Sequence, residues 1–140
     1  MKKVLFDTNV IVDVLLARGD FAPQALAMLK LAEDHIIKGY VSAASISDIH
    51  YIVRRALKDE TATMRGIDTI LEILHVAKVN KKSILRARKA NWADFEDAIQ
   101  NECAAVNHIP CIVTRNTKDF ARSTLFVCTP EDFLLHFATA

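Results

Sequence analysis

The residues best suited to chemistry in this 140-residue chain are acids and amides gathered in four short segments. Asp7 stands in Phe6-Asp7-Thr8-Asn9, a carboxylate beside a hydroxyl and an amide. Asp48 lies in Ser45-Ile46-Ser47-Asp48-Ile49, and Asp94 and Asp97 frame Asp94-Phe95-Glu96-Asp97. The fourth segment, Thr114-Arg115-Asn116-Thr117-Lys118-Asp119-Phe120, offers Asn116 and Asp119. Hard oxygen ligands of this kind suit Mg²⁺ or Mn²⁺ and not zinc. A pair of such ions can activate water and stabilise the leaving oxygen during phosphodiester hydrolysis. Without metal, mutual repulsion would raise the pKa of some of these carboxylates.

Each acid also has a plainer explanation. Asp7 and Asn9 are of the types that cap helices, and Asp94 is well placed as an N-cap. Acids are favoured in a first helical turn, which accounts for Asp94 fully and for Asp97 less well, since Asp97 precedes the apolar Ala98-Ile99. Ser45 followed by Asp48 resembles a capping box. Asp119 reads equally as an ordinary loop acid. The functional reading rests on the convergence of these positions.

That convergence follows from the elements expected to carry them. Residues 4–6 form a short apolar strand ending at Asp7, and the run 10–16 reads as a helix capped by Thr8 or Asn9 and broken near Gly19. Ala25, Leu26, Met28, Leu29 and Ala32 follow a helical period. Residues 40–41, after Gly39, form a second strand, followed by helices over 45–57 and about 62–74 and a strand over 75–79. The segment 83–89 is helical, as is 94–106. Strands at 111–113 and 125–128 follow, and Thr129-Pro130-Glu131 starts a last helix with a cap and a proline at its first position. Short apolar strands alternating with helices predict a three-layer α/β/α fold with a mostly parallel sheet of about five strands. Ligands of such sheets bind beyond the carboxyl ends of the strands, where Asp7, Asn116 and Asp119 would fall.

Composition narrows the alternatives. Hydrophobic residues make up 51% and charged residues 25%, ordinary for a soluble globular domain. Three Gly, three Pro and no repeat leave no linker to find, so residues 1–140 read as one domain. No apolar run approaches the ~18–20 residues that cross a bilayer, and charges come too early for a signal peptide, so the expected compartment is the cytoplasm. Cys103, Cys111 and Cys128 lack C-x-x-C spacing, and Cys111 and Cys128, inside apolar runs, read as buried core residues; the scattered histidines make zinc improbable. Net charge is +1, yet Lys78, Lys81, Lys82, Arg86, Arg88 and Lys89 cluster without an intervening acid. That segment is either a solvated helix face or a phosphate-contacting one. Arg55, seven residues after Asp48, returns to nearly the same helical face and joins Lys81, Lys82 and Arg86 as a phosphate-contacting candidate.

The segments around Asp7, Asp97 and Asn116, in that order and spacing, resemble the three motif blocks of PIN-domain ribonucleases, a family that includes VapC-type toxins of toxin–antitoxin pairs. The resemblance implies a parallel five-stranded sheet between helices and Mg²⁺- or Mn²⁺-dependent RNA cleavage at a ring of acids. It makes Asp7, Asp48, Asp97 and Asp119 the catalytic acids. Asp7 and Asp97 would be metal ligands, with Asp48, Asp94 and Asn116 contributing, and Thr8, Asn9 and Thr114 orienting them by hydrogen bonding. Asp48 stands where the family usually has Glu, one methylene longer; Asn116 stands where it often has Asp. RNA, a cognate antitoxin and a second copy in a homodimer are the implied partners. The rival reading is a non-catalytic RNA-binding or protein-binding module on the same fold. A haloacid-dehalogenase-type phosphatase would need Asp and Thr where this chain has Asn9 and Ile11, and a phosphoacceptor receiver would need paired acids at the first strand.

Overall fold

The computed structural model describes residues 1–139. Five strands, β1 (Lys2–Phe6), β2 (Ile37–Ser42), β3 (His75–Ala77), β4 (Cys111–Val113) and β5 (Phe126–Cys128), pair in parallel in the order β3-β2-β1-β4-β5. Between them run α1 (Thr8–Leu15), α2 (Ala22–Glu33), α3 (Ala43–Leu57), α4 (Glu60–Ile73), α5 (Lys81–Ala90) and α6 (Phe95–Val106), with α7 (Pro130–Thr139) last. Single 3₁₀ turns at Gly19–Phe21 and Thr117–Phe120 complete the chain.

The strands are apolar because both sheet faces are covered. Along β1 the pleat sends Val4 and Phe6 to one core and Leu5 to the other. The larger core joins them to Val10 and Ile11 of α1, Met28 of α2, Ile49 of α3, Ile67 of α4 and Phe133 of α7. The smaller one sets Leu5 and Ile112 against Cys103 and Ala104 of α6 and Phe120, with Trp92 meeting the Phe120 ring edge-on at 5.9 Å. This is the expected α/β/α layering. No helix among the described residues is long and apolar enough to cross a membrane. All three cysteines are free and buried, Cys111 and Cys128 as expected and Cys103 of α6 with them.

Three local expectations are corrected. Asp7 itself caps α1, its side chain accepting from the Thr8 amide, so neither Thr8 nor Asn9 is the cap. The helix starts the moment β1 ends, and Thr8 is already helical. Ser45 and Asp48 form no capping box, because α3 begins earlier: Ser42, the last residue of β2, accepts from the Ala44 amide at 3.1 Å. Strands β1 and β2 run past their apolar centres because backbone pairing continues through Lys2↔Ile37 and Lys3↔Lys38, where polarity cannot signal it. Most apolar side chains over residues 10–29 lie in or against the larger core, although Phe21 and Leu26 remain exposed.

One close approach sets the spacing of β2 against its covering helices. A Cβ at Gly39 would stand 2.5 Å from Leu74 Cδ2, 3.1 Å from Ala32 Cβ and 3.2 Å from Phe6 Cε1. Gly39→Ala should therefore overpack this junction and cost about 1–3 kcal/mol. Urea unfolding at equilibrium measures it, and an unchanged midpoint would show that Leu74 moves aside freely.

Candidate active site

Strand β1 is the centre of the sheet, with β2 on one side and β4 on the other. Connections leave it in both directions, which opens a crevice at its carboxyl end. The Asp7 amide donates to the Val113 carbonyl at 2.9 Å, and the Thr114 amide to the Cys128 carbonyl at 3.0 Å, so the sheet ladder continues into the residues that line that crevice.

Asp7 is only 8% exposed and is held from four directions. Its Oδ1 accepts from the Thr8 amide at 2.8 Å and from Gln100 Nε2 at 2.9 Å. Its Oδ2 accepts from Thr114 Oγ1 at 2.8 Å and from Asn9 Nδ2 at 3.4 Å. Asn9 in turn accepts the Arg115 amide at 3.1 Å, and the Asn116 amide donates to Thr114 Oγ1 at 3.2 Å. Thr8 reaches sideways instead, its hydroxyl donating to Ser45 Oγ at 3.0 Å and tying α1 to α3. Thr8, Asn9 and Thr114 thus brace the site, though only the last two do so by side-chain bonds to Asp7.

Around this knot lies an open cleft of about 630 Å³. Asp48 of α3, Asp94, Glu96 and Asp97 at the start of α6, and Asn116 and Asp119 beyond β4 all line it with Asp7. Asp94 also caps α6, accepting from the Asp97 amide at 3.1 Å. Capping and cleft-lining are therefore one placement, since the helix start points at the crevice. Asp97, half-buried, has acids for neighbours: burial and then the charges of Asp94, Asp7, Asp119 and Glu96 push its carboxyl up to about 7. The repulsion expected from sequence is thus focused on Asp97.

The donor set fits a hard divalent cation. Carboxylates and amide oxygens converge, and Gln100 Oε1 is buried in the cleft wall with no hydrogen-bond partner. Among the described residues no three acids, imidazoles or thiols draw close enough to form a ready-made ion cage.

The basic candidates lie apart from the acids. Lys81, Lys82 and Arg86 belong to α5 and do not line the cleft; Arg86 Nε bonds Glu102 of α6 at 2.9 Å. Arg55 Nη1 donates to the Tyr51 hydroxyl at 2.9 Å, and both border a second basin with His50, Arg54 and Lys58. Tyr51, 62% exposed, touches both this basin and the acidic cleft. Gln100, Ser45, Glu96 and Arg18 were not foreseen. Gln100 and Glu96 carried readable signals, the first three residues after Asp97 on one helix face and the second as an acid between Asp94 and Asp97; Arg18 carried none.

With this geometry in place, comparison with known proteins is direct. The PIN domain family matches residues 3–118, and the chain belongs to it. The VapBC2 complex of Rickettsia felis, bound to a promoter DNA fragment, contains a chain with 18% identity and a TM-score of 0.66, over 90% of this chain and 96% of that one. A toxin–antitoxin complex from Klebsiella pneumoniae gives 23% and 0.66, over 91% and 97%. VapC20 of Mycobacterium tuberculosis, a toxin that cleaves the sarcin–ricin loop, gives 13% and 0.63, over 78% and 86%. At these identities the likeness is one of fold. No curated protein sequence matches the chain.

The raised Asp97 carboxyl has a consequence for stability. An unfolded chain releases this proton near pH 3.8, whereas the folded chain keeps it to about 7. The folded state therefore loses stability as pH rises between those values, and the whole penalty is present above about 7. In chelator, Asp97→Asn should melt higher than wild type at pH 8 and equal to it near pH 4. An Asp97 that serves only the dipole of α6 requires the opposite sign at pH 8. Melting curves across that pH range separate the two.

Proposed function

We propose that this chain is a metal-dependent endoribonuclease that hydrolyses RNA phosphodiester bonds in the acidic cleft, as the toxin of a toxin–antitoxin pair. The observation that carries the reading is the meeting of six carboxylates from four parts of the chain in one cleft of a PIN domain, with the Asp97 carboxyl raised to about 7 by burial and then by the charges around it. A fold alone would not demand such an arrangement, which opposes stability unless cations join it.

Asp7 and Asp97 are assigned as the principal metal ligands, with Asp48, Asp94 and Asn116 completing the set directly or through water. When bound, Mg²⁺ or Mn²⁺ would polarise water and phosphate oxygens and neutralise developing charge. Asp7 is pre-oriented for this by Thr114, Asn9 and Gln100, which fix both its oxygens before any ligand arrives. Asp48 and Asp119, exposed at the rim, are assigned to take the proton of an attacking water at a carboxylate oxygen. Asn116 keeps an oxygen donor at the cost of a charge. Lys81 and Lys82 of α5, with Arg86 and Arg55, are assigned to RNA phosphates along the approach. A cognate antitoxin partner is supported by the toxin–antitoxin complexes among the structural neighbours. A homodimer belongs to the same proposal, with exposed Phe21 and Leu26 as its apolar contribution.

Purified protein should cleave single-stranded RNA with Mn²⁺ and not in chelator. Asp7→Asn and Asp97→Asn should each lower the rate at least 100-fold while remaining folded, since each removes a charge from the ligand set. RNA binding without cleavage under any divalent metal would replace the enzyme by a binding module. An Asp97→Asn protein that cleaves at the wild-type rate would remove Asp97 from the assignment.

A further inference from the structure

Among the described residues, one cation lines the acidic cleft: Arg18. It follows the end of α1, and its position is set by the backbone. Ala17 takes a left-handed conformation with φ of 48°, and the Arg18 amide donates to the Asp13 carbonyl at 3.0 Å. This returns the arginine against α1, so that its side chain stands between the cleft and Asp13.

Asp13 is the reason to consider that side chain available. Its carboxylate, 3% exposed, has two arginines for one charge. Arg115 is the nearer, with Nε 3.2 Å from Asp13 Oδ2 and its guanidinium 4.3 Å from the centre of the Phe21 ring. Arg18 Nη1 stands 4.0 Å from Asp13 Oδ1, beyond hydrogen-bond reach, and Oδ1 has no hydrogen-bond partner. Arg115 is thus held to Asp13 by an ion pair without a hydrogen bond at Nε, and to the Phe21 ring by its guanidinium. Arg18 is held near by charge, remains 41% exposed, and keeps its donors uncommitted.

We propose that Arg18 binds a phosphate of the RNA at the cleft, its guanidinium taking two non-bridging oxygens while Asp13 tethers it on the protein side. The inference rests on the nuclease reading and deepens it. A polyanion entering a cleft with six carboxylates needs donors of its own besides any bound cation, and the forked guanidinium matches phosphate geometry. A loose electrostatic tether limits the side-chain entropy lost on binding without consuming the hydrogen bonds the phosphate requires. Sequence reasoning passed over Arg18 because it lies in no acidic segment and no basic run.

The test uses the full chain with a short non-cleavable 2′-O-methyl RNA, measured by fluorescence anisotropy over a range of salt, beside Mn²⁺-dependent cleavage of ordinary RNA. Arg18→Ala should weaken binding about tenfold or more. It should also lower the slope of log K against log salt by about 0.7, the value of one phosphate contact on a single strand. Arg18→Lys should keep the slope, because the charge remains, yet lose part of the affinity with the fork. Melting curves establish that the variants are folded; the lysine variant retains the charge beside Asp13 and carries the test if the alanine variant is unstable. Wild-type affinity and slope in Arg18→Ala, or wild-type affinity in a folded Arg18→Lys, would make Arg18 a structural partner of Asp13 and overturn the proposal. Wild-type protein that binds the oligonucleotide but cleaves nothing would overturn the nuclease reading and leave Arg18 to be judged by binding. Wild-type protein that neither binds nor cleaves would overturn both.

Discussion

Six carboxylates share the cleft at the centre of this structure, and their mutual repulsion is the constraint that the surrounding fold must withstand. Like charges at neighbouring positions of one helix face oppose one another by about 0.2–0.5 kcal/mol when exposed, and by more where burial lowers the local dielectric, as at Asp97. Such acids stay together only if the elements bearing them are fixed by other contacts. The two covered faces of the sheet provide this. Val4 and Phe6 lock β1 to one set of helices and Leu5 to the other, so the end of β1 has no freedom to retreat.

Electrostatics also lightens the load locally. Asp7 stands at the start of α1, and Asp94 and Asp97 at the start of α6, where unpaired amides and the helix dipole favour negative charge. Cap and candidate ligand are therefore compatible roles for one side chain. Asp94 takes the cap of α6 while facing the cleft, and Asp7 caps α1 with one oxygen that also receives Gln100. Asp97 is where this relief is insufficient, and its carboxyl holds a proton to about pH 7. A bound cation would reverse that balance by giving the charged form a partner.

A second layer supports the first from behind. In Thr114-Arg115-Asn116, Thr114 bonds Asp7 and Arg115 turns away to a different task. The Arg115 amide donates to Asn9, and its guanidinium spans the Asp13 carboxylate and the Phe21 ring. The end of β4 is thereby tied to α1 and to the turn that follows it. Burial raises the Asp13 carboxyl, with Arg115 and then Arg18 opposing that rise, so the buried acid depends on its arginines. Motif residues in this chain thus divide between holding ligands and holding the elements that carry them.

Local order was legible in the sequence by itself. Short apolar runs marked the strands, and helical period, caps or turn residues marked the helices, because burial on both sheet faces and on helix stripes leaves its pattern along the chain. Asp94 as a cap, Pro130 at a helix start and the grouping of acids at strand ends were readable for the same reason: each depends on neighbours within a few residues. The extents of β1 and β2 were not, since Lys2 and Lys3 pair with Ile37 and Lys38 through backbone atoms that all residues share. Nor were the contacts that bring the site together. Gln100 and Thr114 meet Asp7 from 93 and 107 residues away, Ser45 meets Thr8 from 37, and Arg18 turns into the cleft on a left-handed Ala17. The types of residue needed for the chemistry were determined by sequence. Which of them share a cleft, and which one bears the repulsion of the rest, was decided only by tertiary structure, because charge acts through distance in space and not along the chain.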